Sequence, residues 1–230
     1  MREIYNTDCF SCIEKTVSEV SNPIIVTDPP FNVGYGYDEY VDRLPEEEYL
    51  EKLDYIFSLC PSVVIHYPEH LYKLSVKMGK IPMRVISWVY NSNTPRQHRD
   101  IAYFGIEPDF HGLGEYKNPT DKRIAERISE GKKPIGYDWV YADQVKNVSK
   151  GVNSHPCQMP LAVMLYVVRT LPHDCTIIDP FMGSGTTCLA AKRNGMEYVG
   201  IEISKRYFKI AYNRLNNDSP LFDTIEGNEK

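Results

Sequence analysis

The amino-acid sequence predicts an α/β fold with a mostly parallel central sheet and helices on both of its faces. Two observations carry that prediction. Short apolar runs that read as buried strands alternate with longer amphipathic segments at both ends of the chain, as in sheets whose connections are helical. Two of those strands also end in an acid followed by residues that break regular structure. Ile24-Ile25-Val26 leads into Asp28-Pro29-Pro30-Phe31, and Ile177-Ile178 leads into Asp179 and a glycine-containing turn.

Taken in order, residues 3–8 form a short strand, 9–19 a helix and 23–27 the strand before Asp28. Residues 44–60 are helical because Pro45 and three acids open the segment, and Tyr49, Leu50, Leu53, Ile56 and Phe57 share one face. A strand at 62–67, a helix at 68–79 closed by Gly79 and a strand at 83–90 follow. From Asn91 to Ser154 the pattern breaks into Gly, Pro, Asn, Asp and Tyr, with one helix expected near 120–130. Regular alternation then resumes with a helix at 159–171, a strand at 175–181, a helix at 186–195, a strand at 197–203 and a helix at 204–215. The middle segment is too long for a simple connection. It therefore divides the chain into 1–91, an inserted functional region at 92–154, a second half of the sheet domain at 155–216 and a loose tail at 217–230. Trp88 and Trp139 are assigned to the core.

Composition excludes several classes. The 230 residues are 42% apolar and 25% charged, as in an ordinary globular protein. No apolar run reaches membrane-spanning length, so no membrane partner is expected. The start, MREIYNTDCF, lacks the apolar stretch of a secretory signal. Six cysteines are scattered, and Cys9-x-x-Cys12 has no second pair to complete a zinc site. Reduced cysteines and a cytoplasmic location are the expectation. The net charge of −5 argues against a nucleic-acid partner, yet residues 117–133 carry six basic and three acidic residues. That stretch is a basic patch or a solvated helix face.

Alone, Asp28-Pro29-Pro30 reads as a turn. The stretch IIDPFMGSGTT (177–187) is more specific. Gly183 and Gly185 allow close approach of backbone to a ligand, and the helix opening near Thr186 offers free N–H groups. The next strand ends at Glu202, where nucleotide-binding sheets use an acid to hold ribose hydroxyls. No Lys follows Gly185, which excludes a P-loop. Cys188 stands where a nicotinamide-binding G-x-G-x-x-G would need its third glycine.

Together these motifs resemble the permuted (β-group) amino-methyltransferases of DNA, which use S-adenosylmethionine to methylate the exocyclic amine of adenine or cytosine. In that family D-P-P-[FY] comes first, a variable target-recognition segment follows, and F-x-G-x-G comes last; here these are 28–31, 92–154 and 181–185. NTDCF (6–10) and HPCQMPLAVM (155–164) resemble two further family segments, with Thr7 replacing a usual Gly and Met159 a usual Lys. GIEISKRYFKIAYNRL (200–215) resembles a third. The resemblance covers the chain outside its middle segment. It implies a Rossmann-like methyltransferase fold in circularly permuted order, with an irregular inserted recognition segment.

The resemblance also implies roles. Asp28, Pro29, Pro30 and Phe31 would be catalytic. The Asp28 side chain and the Pro29 carbonyl would accept the amine N–H groups, the prolines would fix the backbone, and Phe31 would stack on a flipped base. Asp8 and Cys9 would hold the cofactor adenine, and Glu202, followed by Ile203, the ribose. Phe181, Gly183, Gly185 and Thr186 would surround the methionine part, with His155, Cys157 and Gln158 as a further wall. Asp28 would border the cofactor too, and Asp179 would orient the glycine turn. Tyr35 and Tyr37 line the base pocket or lie on a surface loop. No metal is expected. The partners are the methyl donor and double-stranded DNA, read through 91–100 and 117–133, with a homodimer left open. An opening Asp favours adenine-N6 over cytosine-N4. RNA and protein methyltransferases usually place the catalytic motif after the glycines, and a non-enzymatic binder would be expected to lose the acid or a glycine. No nuclease motif accompanies the methyltransferase motifs, so a solitary methylase is expected within the restriction-modification class.

Overall fold

The computed structural model describes residues 1–37, 39–145 and 157–217. His155 and the tail from residue 218 onward lie outside the described residues. Eight strands form one sheet: β1 (Arg2–Asn6), β2 (Pro23–Thr27), β3 (Ser62–His66), β4 (Arg84–Val89), β5 (His98–Phe104), β6 (Trp139–Tyr141), β7 (Thr176–Asp179) and β8 (Glu197–Glu202). Their order across the sheet is β1-β8-β7-β2-β3-β5-β4-β6. β5 runs antiparallel to both of its neighbours, and every other pair is parallel.

Among the described residues, seven α-helices connect or flank the strands: α1 (Ile13–Glu19), α2 (Glu46–Phe57), α3 (Pro68–Met78), α4 (Lys122–Ser129), α5 (Leu161–Arg169), α6 (Thr186–Arg193) and α7 (Lys205–Asn216). Alternation along the strands splits the core in two. Ile24 and Val26 of β2, Ile65 of β3 and Ile177 of β7 pack with α5, α6 and α7 on one face. Ile25, Val64 and Ile178 pack with α1, α2 and α3 on the other. Both faces are covered, which explains why these strands read as continuous apolar runs. No helix of the described residues is long and apolar enough to cross a membrane.

The strand order reverses between β7 and β2. From β7 the chain passes through α6 to β8 on one side; from β2 it passes through α2 to β3 on the other. Such a switch point opens a crevice at the carboxyl ends of the strands. Asp28 and the glycine turn both lie there, although about 150 residues separate them in sequence.

The structure corrects the sequence reading in the middle segment. Residues 98–104, assigned to the insert, form β5 and sit inside the sheet between β3 and β4; residues 139–141 pair with β4 as an edge strand. His98, Arg99 and Asp100 hide the strand because, running antiparallel, it brings its first residues to the polar carboxyl edge of its neighbours. Only Ile101 to Phe104 lie fully in the core. Trp88 is buried as expected. Trp139 is not: on the edge strand it remains 46% exposed and stacks on Tyr137 at 5.3 Å. The helix expected near 120–130 is present as α4, capped by the Asp121 side chain on the Arg123 amide.

Gly200 of β8 is a packing requirement. A Cβ there would collide with Met182 Sδ and lie 2.7 Å from Cys188 Sγ and 3.1 Å from Ile4. Gly200→Ala is therefore expected to destabilise the fold by about 1–3 kcal/mol through overpacking. Chemical denaturation of the variant should show a lowered midpoint with an unchanged slope.

Candidate active site

The switch-point crevice is a cleft of about 390 Å³. Asp28 enters from the end of β2, Asp179 from β7 and Glu202 from β8, while Asp8 and Cys9 come from the turn after β1. Among the described residues, five acids line the cleft (Asp8, Asp28, Glu39, Asp179 and Glu202) against one base, Lys52. Such a lining suits a cationic ligand.

On the β2 side the Asp-Pro-Pro turn is fixed by a relay. The Tyr67 amide donates to His66 Nδ1 at 2.7 Å, so in neutral His66 the proton is on Nε2. Nε2–H then donates to the Tyr49 hydroxyl at 2.7 Å, and that hydroxyl donates to the Pro30 carbonyl at 2.7 Å. Burial holds the His66 titration well below its ordinary value, and neighbouring His70, Arg99 and Arg96 act in the same direction. The ring remains neutral and the relay intact.

Phe31 is 8% exposed. His66 stacks on it at 4.2 Å, Tyr67 meets it edge-on at 4.7 Å and the Arg99 guanidinium lies 4.7 Å over the ring. It lines the cleft as a supported wall rather than an open platform. After Phe31 the chain loops out and is drawn back by Asp42, which the sequence reading missed. The Asp42 carboxylate accepts from the amides of Asn32, Val33 and Tyr35, and Asn32 exchanges two hydrogen bonds with the Leu44 backbone. This closed loop sets Tyr35, Tyr37 and Tyr40 against the cleft.

Asp28 is held differently. Its Oδ2 lies 3.6 Å from Arg99 Nη1, and its buried Oδ1 has no hydrogen-bond partner among the described residues. Burial pushes its titration up to about 7; Arg99 opposes this and Asp179 adds to it. Asp179 faces inward to the turn. It accepts from the Thr27 hydroxyl at 2.7 Å and the Phe181 amide at 3.1 Å, and burial pushes it to about 6. Glu202 accepts from the Gly183 amide through Oε2 and the Ser204 amide through Oε1, each at 2.8 Å. Burial raises Glu202 to about 7. Each of its oxygens keeps a second lone pair, and the residue lines the cleft.

Of the other sequence-predicted residues, Pro29, Pro30, Cys157, Phe181, Gly183, Thr186 and Ile203 also line the cleft. Asp8 does so while capping the turn through the Phe10 amide at 3.0 Å. Gly185 and Gln158 do not line it. The Gly185 amide donates to the Met182 carbonyl at 2.7 Å, and a Cβ there would lie 3.0 Å from the Ala211 Cβ. With φ at +79°, Gly185 is required for the turn and for close packing of α7. The sequence reading missed Lys52, Tyr67 and Tyr207 as lining residues. Lys52 and Tyr67 stand on a helix and a strand end with no motif to single them out, and Tyr207 lies within the family-like segment 200–215 without being singled out in it.

Residues 23–213 match the profile of the N6/N4 methyltransferase family, described as DNA methylase. The chain belongs to this family. Among curated relatives, this DNA methylase is 28% identical over 242 residues to the type II methyltransferase M.HpaI of Haemophilus parainfluenzae, covering 95% of its own length and 76% of the relative's. It is 24% identical over 246 residues to the DNA adenine methyltransferase YhdJ of Escherichia coli (strain K12), covering 94% and 83%. Its fold matches the crystal structure of the M1.HpyAVI–SAM complex with a TM-score of 0.64 and 22% identity, over 94% of this chain and all of that one.

The raised carboxylates of this DNA methylase set a pH dependence. Their ordinary values are 3.8 for Asp28 and Asp179 and 4.5 for Glu202. Between those values and about 7 the folded chain binds more protons than the unfolded one, so stability falls as pH rises. In the ligand-free protein this contribution is present near pH 4 and lost above about pH 7. Asp28→Asn should flatten the decline, as measured by denaturation midpoints at pH 5.5 and pH 8.

Proposed function

We propose that this DNA methylase transfers a methyl group from S-adenosylmethionine to the N6 amine of adenine in duplex DNA. The buried Asp28 Oδ1 carries the reading: it is an orphaned acceptor at the end of a strand, beside an acid-lined cleft. An exocyclic amine is a weak nucleophile because its lone pair is delocalised into the ring. Asp28 Oδ1 and the Pro29 carbonyl accept its N–H groups and support the positive charge that develops as the nitrogen becomes tetrahedral. The relay through His66 and Tyr49 holds the turn, so these acceptors need no reorganisation at reaction.

S-adenosylmethionine supplies a methyl group already activated by the sulfonium charge. Glu202 suits its ribose hydroxyls, Asp8 and the Cys9 backbone its adenine, and Phe181, Gly183 and Thr186 its methionine portion. The acid-rich lining favours its cationic groups. The target base has to leave the duplex to reach Asp28. Recognition is assigned to the stretch between β5 and β6. Support comes from the basic run 117–133 and from the exposed Tyr137, Trp139 and Tyr141 beside it.

Asp28→Ala is expected to abolish transfer while changing cofactor affinity less than about tenfold, because the carboxylate acts on the amine. Glu202→Gln should instead weaken cofactor binding by about one to two decades, the loss of a charged acceptor. Calorimetry and single-turnover rates separate the two, and equal losses of affinity and rate in Asp28→Ala would move that residue to the cofactor.

The base follows from one experiment. Incubating the protein with isotope-labelled S-adenosylmethionine and unmethylated DNA, then digesting to nucleosides, should put the label in N6-methyladenine. The opening Asp28 and the similarity to an adenine methyltransferase support that outcome. Label in N4-methylcytosine would change the base and keep the mechanism. Label in RNA or protein alone would change the substrate class, and no label would leave a binding protein.

A further inference from the structure

Arg99 lies outside both motifs, on the antiparallel strand β5. The polar opening of that strand delivers its guanidinium to Asp28 at 3.6 Å. Both side chains are largely enclosed, with 15% of Arg99 and 19% of Asp28 exposed. The guanidinium lies 4.7 Å over Phe31, 4.9 Å over Trp88 and 5.7 Å over Tyr67. Its Nε has no hydrogen-bond partner among the described residues. Flat rings therefore hold the cation in place, and its charge is directed to one carboxylate. At 3.6 Å the contact is longer than a hydrogen bond and acts through charge.

We propose that Arg99 is the positioning residue of methyl transfer: it engages Asp28 Oδ2, favours the ionised carboxylate and leaves Oδ1 without a protein partner, available to the target amine. This deepens the methyl-transfer reading and rests on it. The division of the carboxylate supports it, since one oxygen faces Arg99 and the other is unpartnered. An amine that is gaining positive charge needs an ionised acceptor, and burial alone would protonate Asp28 near neutral pH.

The groups facing Asp28 from the surrounding elements leave this task to Arg99. Asp179 at the end of β7 opposes ionisation. Tyr37 of the loop, Tyr49 of α2 and Cys157 also couple to Asp28, and each has its own titration pushed upward, so they remain neutral. Among the described residues Arg99 is the cation acting on this carboxylate.

The test uses Arg99→Gln and Arg99→Lys in the full chain, with melting curves to confirm folding. Asp28 is titrated by NMR in protein carrying 13C-labelled aspartate carboxyls, with its signal assigned through Asp28→Asn. Its midpoint should rise by about one to three pH units in Arg99→Gln, as expected for loss of a close opposite charge, and return close to the wild-type value in Arg99→Lys. The acid limb of kcat/KM for DNA, at saturating S-adenosylmethionine, should move in the same direction. Transfer at pH 7 should fall by about tenfold or more and recover at higher pH, following the ionised fraction of Asp28.

An unchanged midpoint in an active enzyme would overturn the assignment of Arg99 alone. So would a rate loss equal at every pH, which would mark a purely structural support. A lower KM for DNA with an unmoved acid limb would instead show that the guanidinium fills the place of the base. A midpoint that moves in Arg99→Gln, together with a wild-type protein that methylates no DNA, would overturn the methyl-transfer reading, and with it the catalytic role given to this pair.

Discussion

The hydrogen bond from the Thr27 hydroxyl to the Asp179 carboxylate joins two strand ends that are 152 residues apart. It spans the point where strand order reverses, and both halves of the candidate site are built outward from it. On one side β2 continues into the Asp-Pro-Pro turn; on the other β7 continues into the glycine turn, whose first amide also binds Asp179. Thr27 is fully buried, so this polar pair is viable only because each partner satisfies the other. Without parallel pairing of β2 and β7, neither motif would have a counterpart.

A second constraint is that the site concentrates acids where water is scarce. Asp28, Asp179 and Glu202 all have raised titrations for the same physical cause, burial, but they are satisfied in different ways. Backbone amides hold Glu202, a hydroxyl and an amide hold Asp179, and a cation facing one oxygen holds Asp28. A group with two strong partners is suited to shaping a turn. One with an unpaired oxygen is suited to acting on something else.

Much of this was legible in the sequence. The apolar runs of β2, β3, β7 and β8 and the amphipathic faces of α2 and α3 carry enough periodicity to be read directly. Asp28, Glu202 and Gly183 stand in motifs whose residue types follow from their geometry. What escaped reading lacks a local signal. β5 escaped because its first three residues answer to the site rather than to the core. Asp42 is one acid in a polar loop until three amides converge on it. The Tyr49–His66 relay joins ordinary residues of a helix and a strand, and only the folded chain shows that they support Pro30. Gly185 shows a second demand that the motif did not reveal: its conformation and the approach of α7 both require a glycine there.

The antiparallel course of β5 has a consequence for how such enzymes diverge. One strand supplies both a hydrogen-bonded rail of the catalytic sheet and, through Arg99, a side chain at Asp28. The edge strand β6 likewise returns the chain to the sheet before α5 begins. The unit that can be exchanged between relatives is therefore the excursion between these rails, residues 105–138, rather than the whole irregular-looking stretch. A chimera cut at 92 and 154 would exchange two strands of the sheet along with the excursion between them. One spliced just inside the rails would keep the sheet and its arginine intact.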